Sequence, residues 1–272
     1  MPSASDIESS VLMAFAKNGD VRLYWREDGA GSPLLLLSSA GCDLTLWDAV
    51  MPHLSEFRVV RMDMRGHGQS SSPYGDYTLD QIASDALAVL DAAKIGPVSV
   101  CGLSLGGMAA MTLALKAPER VSSLILACTS AQMDPEGWQA RIRTVRGQGL
   151  AAVADMVMAR FFSDTFRRDH ASEVDAIRAR FLHLDPKGYA GCCAAIRDMA
   201  LLEKLSAIRK PTLVIAAEGD IATPFQEHGA EIRKRIAGAG LKMLSGAHIV
   251  PVEAPEVFAA AVTDFLLGAT HG

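Results

Sequence analysis

The chain has 272 residues, half of them apolar, with a formal net charge of −5. That balance gives no basic footprint, which excludes a nucleic-acid surface as the expected partner. The length suits one large α/β domain or two small ones, with enough apolar material to cover a sheet on both faces.

The first eighteen residues carry Asp6 and Glu8 and no positive region ahead of an apolar core. No signal peptide is expected, and the cytoplasm is the expected compartment. Leu12 to Ala16 and the alternating Val21–Arg26 read as the two strands of a hairpin, with Asn18-Gly19-Asp20 as its turn. Leu34–Leu37 is a continuous apolar run, as in a strand covered on both faces. Leu46 to Leu54 reads as a short helix and Arg58–Met62 as the next strand. Leu79 to Lys94 has helical periodicity behind Thr78 as N-cap. Pro97–Cys101, Leu124–Ala127, Leu213–Ala216 and Leu241–Leu244 read as further core strands, and Val257–Leu267 as a closing amphipathic helix. Strands separated by helices predict a mostly parallel sheet with right-handed crossovers. Val98 to Leu115 lacks charge for eighteen residues, but Gly102, Ser104, Gly106 and Gly107 break it into strand, turn and helix, so no membrane span is expected.

One interval breaks the rhythm. Between residues 130 and 206 the predicted elements are all helical: Trp138–Arg146, Ala151–Phe162, Glu173–Phe181 and Ala190–Leu205. The expected organisation is therefore a core of residues 1–129 and 207–272 with a helical cap of residues 130–206 inserted between two strands. Met133, Trp138, Met156, Met158, Phe161 and Phe162 suit either the roof of an apolar pocket or plain packing. The five cysteines, Cys42, Cys101, Cys128, Cys192 and Cys193, fit no zinc spacing and read as buried free thiols in a reducing compartment. No metal or cofactor is expected.

The sharpest motif is Gly102-Leu103-Ser104-Leu105-Gly106, between an apolar strand and an apolar helix. That is the context a G-x-S-x-G nucleophile elbow requires. The turn leaves no room for side chains two residues before and after the serine, and glycine meets both demands. A serine hydroxyl is a weak nucleophile until a base takes its proton and a carboxylate orients that base. On such an elbow the chain order is serine, acid, histidine. His53 and His67 precede Ser104, and His170 and His183 fall in the cap. His228 sits too close to the expected acid, and His271 lies in the tail. His248, in a flexible loop after the last strand that leaves its ring free to reach back over the sheet, remains as the base. Asp220, shortly after the Leu213–Ala217 strand, is the favoured acid, with Glu218 as its rival and Asp134 as a more distant alternative. A tetrahedral oxyanion needs donors already in place. The backbone N–H of Leu105 is one candidate. The other is the N–H of Ala40, in the Ser38-Ser39-Ala40-Gly41 loop, where the Ser38 or Ser39 hydroxyl is a further candidate donor. Asp63-Met64-Arg65-Gly66-His67-Gly68-Gln69-Ser70 reads as a braced loop, with a metal-binding or catalytic His67 as the alternative.

Four phrases resemble the α/β-hydrolase superfamily: Asp63-x-Arg65-Gly66-His67-Gly68-x-Ser70, Gly102 to Gly107, Ala117-Pro118-Glu119-Arg120-Val121 and Pro211–Ile215. A narrower likeness is to bacterial 3-oxoadipate enol-lactonases. It rests on Ser39-Ala40-Gly41-x-Asp43-Leu44-x-x-Trp47-Asp48, on Trp138-x-Ala140-Arg141-Ile142 and on Gly188–Asp198. The usual His-Gly of the superfamily is replaced here by Ser38-Ser39. The resemblance implies an α/β-hydrolase fold, a small-molecule lactone or ester as substrate, and opening of the enol-lactone ring to 3-oxoadipate in aromatic-acid catabolism. That substrate carries a side-chain carboxylate, for which Arg141, Arg143 or the Trp138 N–H are the candidate contacts. A carboxylesterase or lactonase of other range is the alternative, and a non-catalytic receptor on the same scaffold is a third reading.

Overall fold

The computed structural model describes residues 12–268; His271 lies outside the described residues. Eight strands form one sheet: β1 (Leu12–Asn18), β2 (Val21–Asp28), β3 (Ser32–Leu37), β4 (Phe57–Met62), β5 (Val98–Leu103), β6 (Val121–Ala127), β7 (Thr212–Ala217) and β8 (Gly240–Leu244). Their spatial order is β1-β2-β4-β3-β5-β6-β7-β8. β1 pairs antiparallel with β2, and β2 with β4; every later pairing is parallel. The hairpin closes at Asn18 opposite Val21, with Gly19 at φ +59°. The inner parallel strands are buried on both faces, while the edge strand β8 is mostly exposed or half-buried. Leu34 to Leu37, Val98, Val100, Cys101 and Leu124 to Ala127 are all sealed from solvent, which is why these stretches run apolar without alternation.

Helix α1 (Leu79–Ala92) begins with a capping box between Thr78 and Gln81. Helix α2 (Leu105–Lys116) is buried along nearly its whole length. The chain leaves β3 towards β4 on one side, whereas β5 lies on the other side of β3. The loops that follow β3 and β5 therefore diverge. A crevice opens between them at the carboxyl ends of the strands, where ligands bind in open α/β sheets.

Between β6 and β7 the described residues hold α3 (Pro135–Gln148), α4 (Ala151–Phe161), α5 (Asp164–Asp169), α6 (Ala171–His183) and α7 (Pro186–Arg197), and no strand. After β7 come α8 (Gly229–Arg235), α9 (Val250–Glu253) and α10 (Pro255–Gly268). No helix is long and apolar enough to cross a membrane among the described residues.

Two expected helices take other forms. Leu46–Leu54 is a pair of tight 3-10 turns, Leu44–Trp47 and Met51–His53. Asp43 closes the first by accepting from the Thr45 N–H, and Pro52 opens the second without an N–H of its own. Ala190–Leu205 is broken. Helix α7 stops at Arg197, the chain turns, the Leu201 N–H reaches the Ala131 carbonyl at 3.3 Å, and a 3-10 turn spans Leu202–Ala207. The turn is what brings the end of the helical insertion back beside its start.

Candidate active site

β5 feeds directly into α2 through Ser104, whose backbone sits at φ 55°, ψ −116°. A side-chain-bearing residue is strained there and needs neighbours to hold it. The Ser104 N–H donates to the Ala127 carbonyl at 2.9 Å, and the Ser104 carbonyl accepts from Thr129 Oγ1 at 2.6 Å. The flanking glycines are enforced by contact. A Cβ on Gly102 would lie 2.2 Å from the Gly106 carbonyl oxygen, and one on Gly106 would lie 2.0 Å from that of Leu37. Backbone packing at the elbow thus forbids side chains at both positions.

His248 follows β8 in a loop that is pinned rather than free. The Glu253 carboxylate accepts from the Ala247 N–H at 3.1 Å and from the Ser163 N–H at 2.6 Å, and the Ile249 N–H donates to the Phe161 carbonyl. The imidazole lies nearly parallel to the Phe161 ring, with centroids 6.1 Å apart. Its Nδ1 is 3.0 Å from each oxygen of Asp220. Asp220 also accepts from the Ala222 and Thr223 N–H groups at 2.8 and 3.0 Å and from Thr223 Oγ1 at 2.6 Å. Burial alone would raise this carboxyl. The positive charge available on His248, with the His248 and Thr223 hydrogen bonds, outweighs burial and holds it well below the usual carboxylate range. An acid held ionised near neutral pH behind Nδ1 fixes the ring so that Nε2 is the nitrogen left to take a proton. Glu218 is exposed and meets Ser245, and Asp134 caps α3, so neither rival acid approaches His248. His228 contacts Ser130 Oγ at 2.8 Å.

Ser104, His248, Ser39 and Ala40 share one pocket with Trp138, Arg141, Tyr189 and others from the helical insertion. Leu105 opens α2, where the first N–H groups of a helix have no intrahelical acceptor. Neither the Leu105 nor the Ala40 N–H has a backbone acceptor among the described residues. These two buried residues, one next to Ser104 in the chain and one in the loop after β3, are the candidate donors for an anionic oxygen. The Ser38 hydroxyl is engaged elsewhere, between Trp47 Nε1 and the Asp43 carbonyl.

The roof departs from expectation in two ways. Arg143 is exposed and does not line the pocket: it falls on the solvent side of α3, between the buried Ile142 and Val145. Arg160, which sequence reading passed over, does line it. Arg160 is half-buried near the end of α4 and has neither an ion pair nor a hydrogen bond among the described residues. Burial first, and then the like charge of Arg141, pull its guanidinium below the ordinary value against the opposing charge of Asp220. The guanidinium of Arg141 stacks 4.3 Å over the Trp138 ring and reaches Tyr189 Oη at 3.5 Å, and it too meets no carboxylate. No acidic side chain lines the pocket. A signal for Arg160 existed in the chain, namely a cation three residues after Val157 on the helix face that Val153 and Val157 share, but periodicity alone does not say which neighbour that face meets.

The five cysteines are free and buried, and burial pushes their thiols up, Cys193 to about 12. They are inert packing groups rather than nucleophiles.

Residues 32–255 match a family described as alpha/beta hydrolase fold. The chain is 35% identical over 247 residues to 3-oxoadipate enol-lactonase 2 of Acinetobacter baylyi, covering 89% of this chain and 92% of that protein. Among solved structures it is similar to the enol-lactonase from Burkholderia xenovorans, with a TM-score of 0.91 and 35% identity over 93% of this chain and 100% of that one. It is also similar to a hydrolase from Pseudomonas aeruginosa, with a TM-score of 0.90 and 38% identity over 97% and 99%.

Proposed function

Since the chain belongs to the α/β-hydrolase family and is an ester-hydrolysing enzyme, we propose that it opens the ring of 3-oxoadipate enol-lactone to give 3-oxoadipate, in the catabolism of aromatic acids. The observation that carries this reading is the pair Arg141 and Arg160: two cations that form no ion pair among the described residues, in a pocket that also holds Ser104 and His248. Like charges crowded into a half-buried pocket destabilise one another. A carboxylate on the substrate relieves them, and a neutral ester does not. Residues 130–206 act in this reading as the cap that selects the substrate, and residues 1–129 and 207–272 as the core that performs the chemistry. Five buried free thiols support a reducing, cytoplasmic setting.

In this reading Ser104 Oγ attacks the lactone carbonyl while His248 Nε2 takes its proton, with Asp220 stabilising the imidazolium. The Leu105 and Ala40 N–H groups hold the oxyanion. Collapse breaks the ring C–O bond and leaves an acyl-enzyme. The departing enolate oxygen takes the proton from His248 and tautomerises to a ketone. His248 then removes a proton from water, which attacks the acyl carbon, and Ser104 leaves with that proton restored. Arg141 and Arg160 grip the carboxylate arm throughout. No step calls for a metal or cofactor.

The test is turnover of the lactone by purified protein. Hydrolysis of p-nitrophenyl esters with the lactone left intact would replace this reading by that of an esterase of other range. Absence of a fluorophosphonate adduct on Ser104 would leave only a receptor on the same scaffold.

A further inference from the structure

The Asp63–Ser70 loop takes no part in the chemistry above, yet it is among the most heavily bonded segments of the molecule. Asp63 Oδ1 accepts from the Leu44 N–H at 2.7 Å and Oδ2 from the Gln69 N–H at 2.8 Å. Arg65 forms a two-bond pair with the fully buried Asp85 at 2.5 and 2.8 Å. His67, 1% exposed, directs Nε2 at the Gly41 N–H, 2.8 Å away. Gly41 is the residue after Ala40, at φ +91°. Its own amide could have competed for the oxyanion or turned the Ala40 peptide out of the pocket. With that amide committed to His67, the loop between Ser39 and Leu44 is fixed at Gly41 by His67 and at Leu44 by Asp63.

His67 suits acceptance and little else. It does not line the pocket, so a role as a second base is excluded by place. Burial pushes its imidazole down to about 4, so the ring is neutral near pH 7 and one nitrogen is an acceptor. Nδ1 faces the Arg65 carbonyl at 3.3 Å, which sets the tautomer with Nδ1 as donor and Nε2 as acceptor. The ring is wedged by α7. Tyr189 stands edge-on to it at 6.5 Å, and Cys192 Sγ reaches the Arg65 carbonyl at 3.4 Å. Gly188 packs on Gly66 so closely that a Cβ on Gly188 would lie 2.4 Å from the Gly66 Cα.

We infer that His67 is a positioning residue of the oxyanion hole: its Nε2 holds the Gly41 amide so that the Ala40 N–H faces Ser104, and α7 holds His67. This rests on the serine-hydrolase part of the proposal and not on the identity of the lactone.

Four proteins decide it: wild type, His67→Leu, His67→Asn and His67→Gln, the last of which can place a carbonyl oxygen where Nε2 stands. Each is assayed for p-nitrophenyl acetate turnover and for affinity for phenylboronic acid, whose tetrahedral serine adduct occupies the oxyanion hole. Loss of one oxyanion donor lowers kcat by about 10²–10³, and a misplaced donor by somewhat less. His67→Leu is expected to lose roughly 10- to 100-fold in kcat and a similar factor in boronate affinity, with KM within about threefold. His67→Gln is expected to regain most of both, and His67→Asn, one bond shorter, much less. If His67→Leu does not fold, the Gln-to-Asn ratio carries the decision. Equal activities for those two variants, or a loss confined to KM, would overturn the inference. A wild-type protein inert to the ester and to fluorophosphonate would instead remove the serine-hydrolase reading itself.

Discussion

The floor and the roof of the pocket are built by different means. On the floor, backbone holds chemistry in place: the Ala127 carbonyl on the Ser104 N–H, the Leu37 carbonyl against Gly106, and the Thr223 amide on Asp220. On the roof, side chains do the work from helix faces. Arg141 leans on Trp138, and Arg160 relies on the pocket itself. Backbone constraints leave little freedom in residue type, and side-chain constraints leave a great deal. A floor of this kind supports one reaction across many relatives, while a roof of this kind can change substrate with a few substitutions. Glu253 joins the two regions, accepting at once from Ser163 of the insertion and from Ala247 beside the histidine.

The comparison breaks if floor and roof fail in the same way. The largest effect is expected at the floor. Ser104→Ala should lower kcat/KM by about three orders of magnitude or more on every ester and lactone, with the fold unchanged by circular dichroism. Asp220→Asn should cost about 10³–10⁴ in kcat, and it carries a stability signature as well. The folded carboxyl sits below its unfolded value of about 3.9, so its contribution is present above that pH and lost as pH falls below it. Chemical denaturation followed from pH 5 to pH 2 should show a steeper loss for wild type than for Asp220→Asn; parallel curves would contradict the assigned ion pair.

At the roof the expected loss is selective. Arg160→Gln should reduce kcat/KM for a carboxylate-bearing lactone by about 10- to 100-fold, as one charged hydrogen bond is worth about 1.5–3 kcal/mol. Turnover of p-nitrophenyl acetate should change by less than about threefold; an equal loss on both substrates would assign Arg160 to folding. Glu253→Ala should destabilise the protein by about 1–3 kcal/mol, since buried amides lose their acceptor, read as a shift in urea midpoint. Arg143→Gln should change neither activity nor stability measurably, because that side chain is exposed on α3.

All eight described strands were legible: the inner parallel strands read as apolar runs bounded by turns, and the hairpin β1–β2 by the turn at Asn18-Gly19-Asp20 and the alternation that follows it. Ser104, Asp220 and His248 were also legible as candidates, since chain order and strand ends leave few choices. The 3-10 turns at Leu44–His53 were not, because burial of Leu46 and Trp47 fits a helix equally well until the Asp43 bond is seen. The pinned histidine loop was read as free, since nothing local marks Glu253 as its anchor across 90 residues from Ser163.

By itself, the sequence determined the elements, the elbow and the order of the reactive residues. Those depend on local rules: periodicity, glycine where no Cβ fits, and a base that must follow its acid. Only the tertiary structure decided which arginine faces the pocket, what Gly41 donates to, and that His67 lies outside the pocket. Each of these depends on contacts between residues far apart in the chain, such as Gly188 on Gly66 and Arg160 beside Arg141, and no local pattern specifies which two surfaces will meet.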